Sequence, residues 1–436
     1  EPLLADLEGL EGAYKRVYGE DSSWKEVVSM AEGLNVDVLH DDEEDNEKDV
    51  VIDQPVIKLV NMILQQAVDR KASDIHVEPR EADTLIRYRI DGVLHEIMTV
   101  PRSVQPAMIS RLKIMARLRI DERRIPQDGR IALAMLGRQL DFRVSTLPTL
   151  NGETIVMRIL DRKSMKVDLA QLGFADHDMT RWNELLERPH GIILVTGPTG
   201  SGKSTTLYSS LAKINQPDVK ILTIEDPVEY NLKGIVQIQT NPKVGLNFAA
   251  GLRSFLRQDP DVIMVGEIRD RETAQIAIEA ALTGHLVLST LHTNDAVTSV
   301  TRLMDMGIEP FLLGSTMSGV IAQRLLRTNC KECAQPTSPH AELADTFARL
   351  GIREVAMRKG EGCPNCSKTG YKGRMGIYEL LTIDEEVRSL VLRRANLQEL
   401  TAAGRKGGMV SLYEDGLVKV AKGYTTYEEL MRVTAE

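Results

Sequence analysis

The 436-residue sequence has few aromatic side chains and no excess of positive charge. Aromatic residues make up 4% of it, which argues against the aromatic pore loops on which a translocase stacks nucleic-acid bases. The formal net charge at pH 7 is −9, which argues against bulk, non-specific nucleic-acid binding, although one basic face is compatible with it. We therefore expect no direct nucleic-acid partner.

Long hydrophobic runs are also missing. The longest candidate, residues 280–291, is interrupted by Thr283, Gly284 and His285, and no run approaches the ~18 apolar residues of a membrane span. The chain begins with Glu1 instead of Met and shows no secretory segment, so we expect a truncated or processed form without a transmembrane segment.

Only four cysteines are present, and they form two C-x-x-C pairs, Cys330/Cys333 and Cys363/Cys366. Two such pairs supply the four thiolates of a closed tetrahedral Zn²⁺ site, which leaves no open coordination position for chemistry. A redox dithiol is the alternative, but it would explain one pair and not both. The spacing between the pairs is longer than in common zinc ribbons, so we expect a structural zinc module that carries an insertion.

Charge and turn residues divide the N-terminal part of the chain. Residues 1–39 hold short helical patterns, and residues 41–49 contain seven acids and one lysine, which is typical of a solvated linker; an acidic docking tail is the alternative. A first domain begins near Val51 with a helical apolar stripe over residues 56–67, followed by strands such as residues 84–90. Turns are expected at Asp91-Gly92, Asp128-Gly129 and Asn151-Gly152.

The most informative segment is residues 197–204, GPTGSGKS, which fits the phosphate-loop pattern G-x-x-x-x-G-K-[ST] at every fixed position. An apolar run at residues 191–195 leads into it, and a helix is expected from about Ser204 to Leu211. Lys203 can reach the β- and γ-phosphates, and the Ser204 hydroxyl suits Mg²⁺. The chain is therefore expected to bind a nucleoside triphosphate. The expected binding loop comprises Gly197, Pro198, Thr199, Gly200, Ser201, Gly202, Lys203, Ser204 and Thr205.

A second domain is expected from about Leu169, because strand-like runs alternate there with helical segments. These runs are residues 192–195, 220–224, 262–265 and 286–289. The alternation predicts a mostly parallel sheet flanked by helices. After about Gly307 the remainder is expected to be helical, with the cysteine module inserted in it.

Acidic residues follow two of these strands. In an open parallel sheet the carboxyl ends of the strands face the ligand crevice, so Glu267 is expected where a base that activates water belongs. Asp226 and Glu229 are candidates for contacts to Mg²⁺ or water, although Asp226 can instead stabilise the turn before Pro227.

Histidines and arginines accompany these acids. His285 and His292 bracket the strand at residues 286–289, and His285 can either sense the γ-phosphate or serve as a structural histidine. Ten basic residues against four acids lie between residues 102 and 143, so arginines of the first domain can reach the phosphates unless they only solvate a helix face. Further arginines that can neutralise phosphate charge are Arg253, Arg257 and Arg269.

In their fixed order these motifs resemble those of the secretion-superfamily ATPases, specifically the assembly motors of type IV pili and the related type II secretion ATPases. The motifs are the phosphate loop GPTGSGKST at 197–205, the aspartate box TIEDPVEY at 223–230, the Walker B region LRSFLRQDPDVIMVGEIRD at 252–270 and the histidine box ALTGHLVLSTLHTNDA at 281–296. Upstream, ASDIHVEPRE at 72–81 and RIPQDGRI at 124–131 resemble the family's preceding domain. The four cysteines resemble its metal module.

The resemblance implies an α/β fold: a RecA-like P-loop ATPase domain, a preceding α+β, PAS-like domain and an inserted zinc module. The implied boundaries are 1–50 for an N-terminal remnant and acidic linker, 51–163 for the preceding domain and 164–436 for the ATPase domain, with the zinc module at about 327–370. The family's docking domain for a membrane-platform protein is then missing or reduced to residues 1–50, which puts membrane recruitment in doubt, and not hydrolysis.

The resemblance also implies a homohexameric ring with ATP, Mg²⁺ and Zn²⁺ as cofactors, each nucleotide lying between the two domains of a subunit. It implies that two arginines of the first domain close onto the phosphates as internal fingers. The implied catalytic residues are Glu267, Glu229, Arg130, Arg143 and His285. The implied nucleotide contacts outside the phosphate loop are Asp226, Arg253, Arg257, His292 and Arg324.

The expected function is a motor ATPase that powers type IV pilus assembly. It would work in the cytoplasm, held at the inner face of the cell membrane by a platform-protein partner. A type II secretion ATPase is the alternative within the family, and the motifs do not separate the two. A nucleic-acid translocase is disfavoured by composition, a small-molecule kinase by the lack of a second substrate pocket in the sequence, and an inactive scaffold by the presence of every catalytic candidate.

Overall fold

The computed structural model describes residues 37–38, 54–135, 138–161 and 168–435. Its contacts divide the chain between residues 165 and 166 into two units, each built on its own seven-stranded sheet. The acidic segment and most of the helical patterns expected before it lie outside the described residues. Within the described ranges, no helix combines the length and apolar character needed to cross a bilayer.

The first unit is an antiparallel sheet with two helices. Its helices are α1 (Gln54–Asp69) and α2 (Gln105–Met115). Its strands are β1 (Asp37–Val38), β2 (Asp74–Pro79), β3 (Asp83–Ile90), β4 (Val93–Pro101), β5 (Gln127–Met135), β6 (Arg138–Thr149) and β7 (Gly152–Asp161). The strand order is β1-β5-β6-β7-β2-β3-β4, and every neighbouring pair is antiparallel. The predicted apolar stripe of α1 is buried in the core of this unit, and the strand predicted at residues 84–90 is β3.

Two of the three predicted turns in this unit are confirmed, and one is wrong. Asp91-Gly92 connects β3 to β4, and Asn151 lies in the turn between β6 and β7. Asp128-Gly129 instead lies inside β5. A Cβ on Gly129 would approach the carbonyl oxygen of Ala116 to 2.5 Å, so this glycine permits close packing against the end of α2 and does not form a turn.

The second unit is a mixed sheet between helices. Its strands are β8 (Gly191–Thr196), β9 (Ile221–Glu225), β10 (Val236–Gln239), β11 (Val262–Val265), β12 (Leu286–Leu291), β13 (Met317–Asn329), β14 (Ala334–Pro336), β15 (Arg358–Gly360) and β16 (Tyr371–Thr382). The main sheet has the order β10-β9-β11-β12-β8-β13-β16, parallel throughout except for the antiparallel pair β13–β16. The α/β class and the mostly parallel sheet are confirmed.

Helices cover both faces of this sheet. They are α3 (Asp176–Leu186), α4 (Lys203–Ile214), α5 (Phe248–Phe255), α6 (Arg271–Leu282), α7 (Ala296–Asp305), α8 (Pro310–Thr316), α9 (Ala341–Arg349), α10 (Glu385–Leu392), α11 (Leu397–Lys406), α12 (Leu412–Ala421) and α13 (Tyr427–Thr434). Ile192 and Leu194 of β8 face one apolar cluster, while Ile193 and Val195 face another. Burial on both faces produces the continuous apolar run that precedes the phosphate loop.

The expectation that the chain is helical after Gly307 is wrong for β13 and β16. β13 extends over 13 residues between β8 and β16, and it is buried along most of its length. A strand buried on both faces shows no alternation of apolar and polar residues, so periodicity alone does not distinguish it from a buried helix.

Candidate nucleotide-binding site

The phosphate-loop motif lies between a buried strand and a helix, as its pattern requires. β8 ends at Thr196, and α4 begins at Lys203. Gly197 and Gly202 have φ values of 144° and 91°, in the region that glycine favours. A Cβ on Gly197 would lie 2.5 Å from the carbonyl oxygen of Gln323 on β13, so only glycine fits there. The loop and the N-terminal end of α4 form the arrangement that binds phosphate in many proteins.

Lys203 is the buried cation of this loop. Its Nζ donates to the carbonyl oxygen of Gly197 at 2.7 Å and to that of Pro198 at 3.1 Å. Burial lowers the pKa of Lys203 to about 8, although the negative charge of Glu267 opposes this effect. An anion placed beside the ammonium would favour its charged form, because opposite charges attract most strongly where water is excluded. Ser204, the next residue, is exposed.

Glu267 lies just after β11, at the carboxyl ends of the parallel strands, where β8 leads into the phosphate loop. Its Oε1 accepts from Arg269 Nη2 at 2.5 Å, and its Oε2 lies 3.2 Å from His292 Nε2. The Glu267 side chain is 13% exposed, so these two partners and the nearby charge of Lys203 hold it in place. The structure therefore brings Lys203, Glu267 and His292 together at one edge, as the sequence predicts.

Hydroxyl groups connect the His292 segment to the strand before the phosphate loop. Thr196 Oγ1 accepts from the backbone N–H of Thr293 at 2.9 Å, and the two threonine hydroxyls are 2.7 Å apart. Thr293 Oγ1 also lies 2.6 Å from Ser299 Oγ on α7. Sequence reasoning missed this connection because its partners are about 100 residues apart, and a threonine at a strand end is too common to signal it.

Asp226 and Glu229 lie on the segment that follows β9. Asp226 is exposed. The pKa of Arg269 is raised mainly by its hydrogen bond to Glu267, with a further contribution from the charge of Asp226. Glu229 donates its backbone N–H to the Tyr208 hydroxyl of α4 at 3.2 Å. Both acids therefore lie at the carboxyl ends of the strands, on the same side of the sheet as Glu267.

The three arginines expected at the nucleotide have protein partners in this structure. Arg253 on α5 pairs with Glu272 on α6, and Arg257 donates to the carbonyl oxygen of Arg253 at 3.2 Å. Arg324 on β13 is buried and donates to the carbonyl oxygen of Asn294 at 2.8 Å. Arg324 therefore links β13, which packs against the phosphate loop, to the segment that follows His292.

His285 lies on the opposite side of the sheet, at the amino-terminal ends of the strands. It precedes β12, and its carbonyl oxygen accepts from the N–H of Gly191, the first residue of β8, at 3.1 Å. Its Nδ1 lies 2.8 Å from the carbonyl oxygen of Ala280. Because a six-residue strand is roughly 20 Å long, the structure does not bring His285 together with Lys203. Its contacts fit the alternative of a structural histidine.

The two arginines predicted in the first unit belong to a row of three. The strand register places Arg130 on β5 opposite Arg143 on β6, and Arg143 opposite Arg158 on β7. Arg130 Nε donates to Asp141 Oδ1 at 2.8 Å, and Arg158 Nε donates to Asp74 Oδ1 at 3.1 Å. Like charges on directly opposed residues are destabilising, and arginine is the side chain that recognises phosphate oxygens in bidentate geometry. Sequence reasoning missed Arg158, because register is a property of the folded sheet.

The four cysteines converge at the end of β13 with all four sulfur atoms within 4.8 Å of one another. Sγ of Cys330 is 3.8 Å from that of Cys363, Cys333 is 3.8 Å from Cys366, and Cys363 is 3.7 Å from Cys366. Four sulfurs bound at ~2.3 Å to one tetrahedral Zn²⁺ lie roughly 3.8 Å apart. Backbone N–H groups of residues 362, 363 and 370 donate to these sulfurs, as they do around thiolate ligands. The cluster fits a tetrahedral metal ion.

Comparison with known proteins places this site in a family. The family described as Type II/IV secretion system protein matches residues 49–432. The chain is 53% identical over 387 residues to type II secretion system protein E of Pseudomonas aeruginosa, covering 88% of this chain and 76% of that protein. It is 49% identical over 420 residues to type II secretion system ATPase E of Vibrio cholerae, covering 96% and 81%. It is 48% identical over 441 residues to type IV pilus assembly ATPase PilB of Myxococcus xanthus, covering 100% and 78%.

Two solved structures share the fold. The ATPase DotB of Legionella pneumophila has a TM-score of 0.61 and 25% identity, over 85% of this chain and 93% of that one. The pilus retraction motor PilT with bound ADP has a TM-score of 0.57 and 29% identity, over 86% and 96%. Both are similar to this chain over most of its length.

Proposed function

Because the chain belongs to the type II/IV secretion system protein family and is an ATP hydrolase, we propose that it is the motor ATPase of a type II secretion machine. The observation that carries the proposal is the group of Lys203, Glu267 and His292 at the edge where the phosphate loop begins. A relative named type II secretion system protein E is 53% identical, against 48% for the pilus assembly ATPase, which favours secretion.

Glu267 is the proposed base that orients or deprotonates the attacking water. It is the carboxylate held beside the phosphate-loop lysine, and its hydrogen bonds to Arg269 and His292 fix its orientation. Lys203 would neutralise the β- and γ-phosphates. Ser204 would hold Mg²⁺, and Asp226 and Glu229 would contact that ion or its water. His285 stays outside this group, because its contacts lie at the other edge of the sheet.

Arginines are the proposed source of positive charge on the transferring phosphoryl group. Arg130 and Arg143 are supported by the row that they form with Arg158, to which we assign the same role. An arginine of this kind can be worth about 10³–10⁵ in rate. Replacing Arg143 or Arg158 by Gln should therefore lower turnover while ATP binding persists. Unchanged turnover in both variants would refute the assignment. Arg253, Arg257 and Arg324 are the further proposed nucleotide contacts.

The cysteine cluster is the proposed structural zinc site. Cys330, Cys333, Cys363 and Cys366 would hold the ion, and the sulfur–sulfur separations match those of four thiolates on one Zn²⁺. A bound zinc ion would stabilise the fold of this module, and its four protein ligands would leave no position for a reacting group. The role is therefore structural.

The working assembly is the proposed homohexamer, recruited to the cytoplasmic face of the membrane by a platform protein, as the family resemblance implies. Mass photometry of the chain with a non-hydrolysable ATP analogue and Mg²⁺ should show a species of six subunits. A monomer at every concentration and nucleotide state would contradict it.

Pilus assembly is the second candidate, favoured by the 48% identity to the pilus assembly ATPase over the whole length of this chain. Deletion of the gene, with complementation by the wild-type chain or by Lys203→Ala, separates the two candidates. Secretion predicts that exoproteins disappear from the medium and return only with the wild type. Loss of surface pili with normal exoprotein secretion would replace the first candidate by the second.

A further inference from the structure

A buried carboxylate lies next to the proposed metal-side acids. Glu225 is the last residue of β9, and it is 4% exposed. Its Oε2 accepts a hydrogen bond from the Tyr208 hydroxyl, and its Oε1 accepts from Thr223 Oγ1 at 2.6 Å and from Gln237 Nε2 at 3.1 Å. Because an unpaired buried charge is strongly unfavourable, these donors hold the carboxylate in one position.

Tyr208 connects this carboxylate to the residues that follow it. Its hydroxyl donates to Glu225 and at the same time accepts the backbone N–H of Glu229 at 3.2 Å. Burial, followed by the negative charge of Glu225, raises the pKa of Tyr208, so the hydroxyl keeps its proton and continues to donate. Tyr208 lies on α4, the helix that begins at Lys203.

Gln237 on β10 holds the same segment from its other end. Its Nε2 donates to the carbonyl oxygen of Tyr230 at 2.9 Å as well as to Glu225, and its Oε1 accepts from the backbone N–H of Leu232 at 2.6 Å. We call residues 226–232 the acid loop, because they carry Asp226 and Glu229. The backbone of the acid loop is thus fixed at three points to one buried hydrogen-bond network.

We propose that Tyr208 is a positioning residue for ATP hydrolysis, whose hydroxyl fixes the acid loop relative to the helix that begins with the phosphate-binding lysine. The proposal rests on the roles proposed above for Asp226 and Glu229. Those roles depend on placing an ion or a water to within a fraction of an ångström, and a misplacement of ~1 Å can cost about 100-fold in rate. The hydroxyl itself touches neither substrate nor metal in this proposal.

The position of Tyr208 predicts which kinetic parameter changes. α4 and the phosphate loop bind the phosphates through Lys203 and backbone N–H groups. Tyr208 lies five residues beyond Lys203, so the loss of its hydroxyl leaves those groups unchanged. The acid loop, in contrast, loses its bond between Glu229 and Tyr208. We therefore expect the effect in kcat and in the response to Mg²⁺, with nucleotide affinity retained.

The test compares Tyr208→Phe with Tyr88→Phe in the full chain. Tyr88 is a matched control, because it is also buried and its hydroxyl donates to the Ile63 carbonyl oxygen at 2.7 Å, but it belongs to the first unit. We expect Tyr208→Phe to lower kcat about 10- to 100-fold and to raise the Mg²⁺ concentration needed for half-maximal turnover, with the Kd for ATP within about twofold. Tyr88→Phe should change only thermal stability.

A second variant tests the network from its other end. Gln237→Leu removes the bonds to Tyr230 and Leu232 and should reproduce the same loss of kcat with the same retained Kd. An unchanged kcat in Tyr208→Phe, a parallel loss of ATP affinity, or an equal loss of kcat in Tyr88→Phe would overturn the positioning role.

Direct variants of the acids distinguish this failure from failure of the proposed function. If Asp226→Asn and Glu229→Gln both abolish turnover while Tyr208→Phe does not, the function stands and the positioning role falls. If both acid variants turn over normally, the roles of the acid loop fall, and the inference falls with them.

Discussion

Replacement of Glu267 by Gln is the most direct test of the site chemistry. The substitution keeps the size and shape of the side chain, and its remaining carbonyl oxygen can still accept from Arg269, which bonds to Oε1 at 2.5 Å. The amide cannot take a proton from water. General base catalysis contributes typically 10²–10⁴-fold, so we expect turnover to fall by that factor, or by about 3–5 kcal/mol in activation free energy.

ATP binding should survive this substitution. Glu267 raises the pKa of Lys203 against the effect of burial, so its neutralisation slightly weakens the charged form of the lysine, and we expect at most a small loss of affinity near pH 7. Phosphate release at saturating ATP measures turnover, and a fluorescent nucleotide analogue measures binding. Glu386→Gln is the control, because Glu386 is an exposed acid on α10 that pairs with Lys406, and neither residue is assigned to the nucleotide site. Turnover in Glu267→Gln within about fivefold of wild type would refute the base assignment.

Three further predictions follow from buried groups. Because burial lowers the pKa of Lys203 to about 8, the free protein loses the ammonium as pH rises through that value, and ATP affinity should fall by up to about tenfold per pH unit above it. Lys203→Arg should lack this pH dependence. If the Kd for ATP depends on pH in the same way in both proteins, Lys203 is not the titrating group. Cys363→Ser, or chelation, should release one zinc ion per chain in a colorimetric zinc assay and lower the unfolding temperature, whereas a chain purified without zinc at full stability would sink the assignment. Lys113→Met should cost about 3–5 kcal/mol of unfolding free energy, because it leaves Glu153 buried without its cation; the double variant Lys113→Met/Glu153→Met should recover much of the loss, and strict additivity would rule out the pair.

The parts of the fold that sequence predicted are those with local signals. The helix at residues 54–69 shows a stripe at the helical period, and the phosphate loop has all its fixed residues in one segment, so both were found. Gly129 and β13 were misread because their physical causes are distant. Gly129 is required because the carbonyl oxygen of Ala116, at the end of α2, lies where a side chain would be. β13 is apolar because neighbouring strands and helices bury it.

The same distinction applies to the site. Lys203, Glu267 and His292 could be predicted, since the carboxyl ends of parallel strands meet at one side of the sheet and each residue lies on the segment that follows its strand. His285 was expected near the phosphates because it lies in the same motif as His292, but the strand between them carries the two residues to opposite edges. Tyr208 and Arg158 gave no sequence signal, because a hydrogen bond to a buried carboxylate and a cross-strand register exist only after folding.

β13 gives a physical reason why the cysteine module lies in the same unit as the phosphate loop. The backbone carbonyl oxygen of Gln323 on this strand packs against Gly197, and its side-chain Oε1 accepts from Thr206 Oγ1 of α4 at 2.7 Å. The position of the strand therefore sets the shape of the phosphate loop. Six residues further along, Asn329 donates to the carbonyl oxygens of Arg358 and Gly423, and Cys330 begins the cysteine cluster. A strand held at both ends resists sliding between its neighbours, because every ladder hydrogen bond would have to break at once. Loss of the module should therefore loosen the phosphate loop through β13.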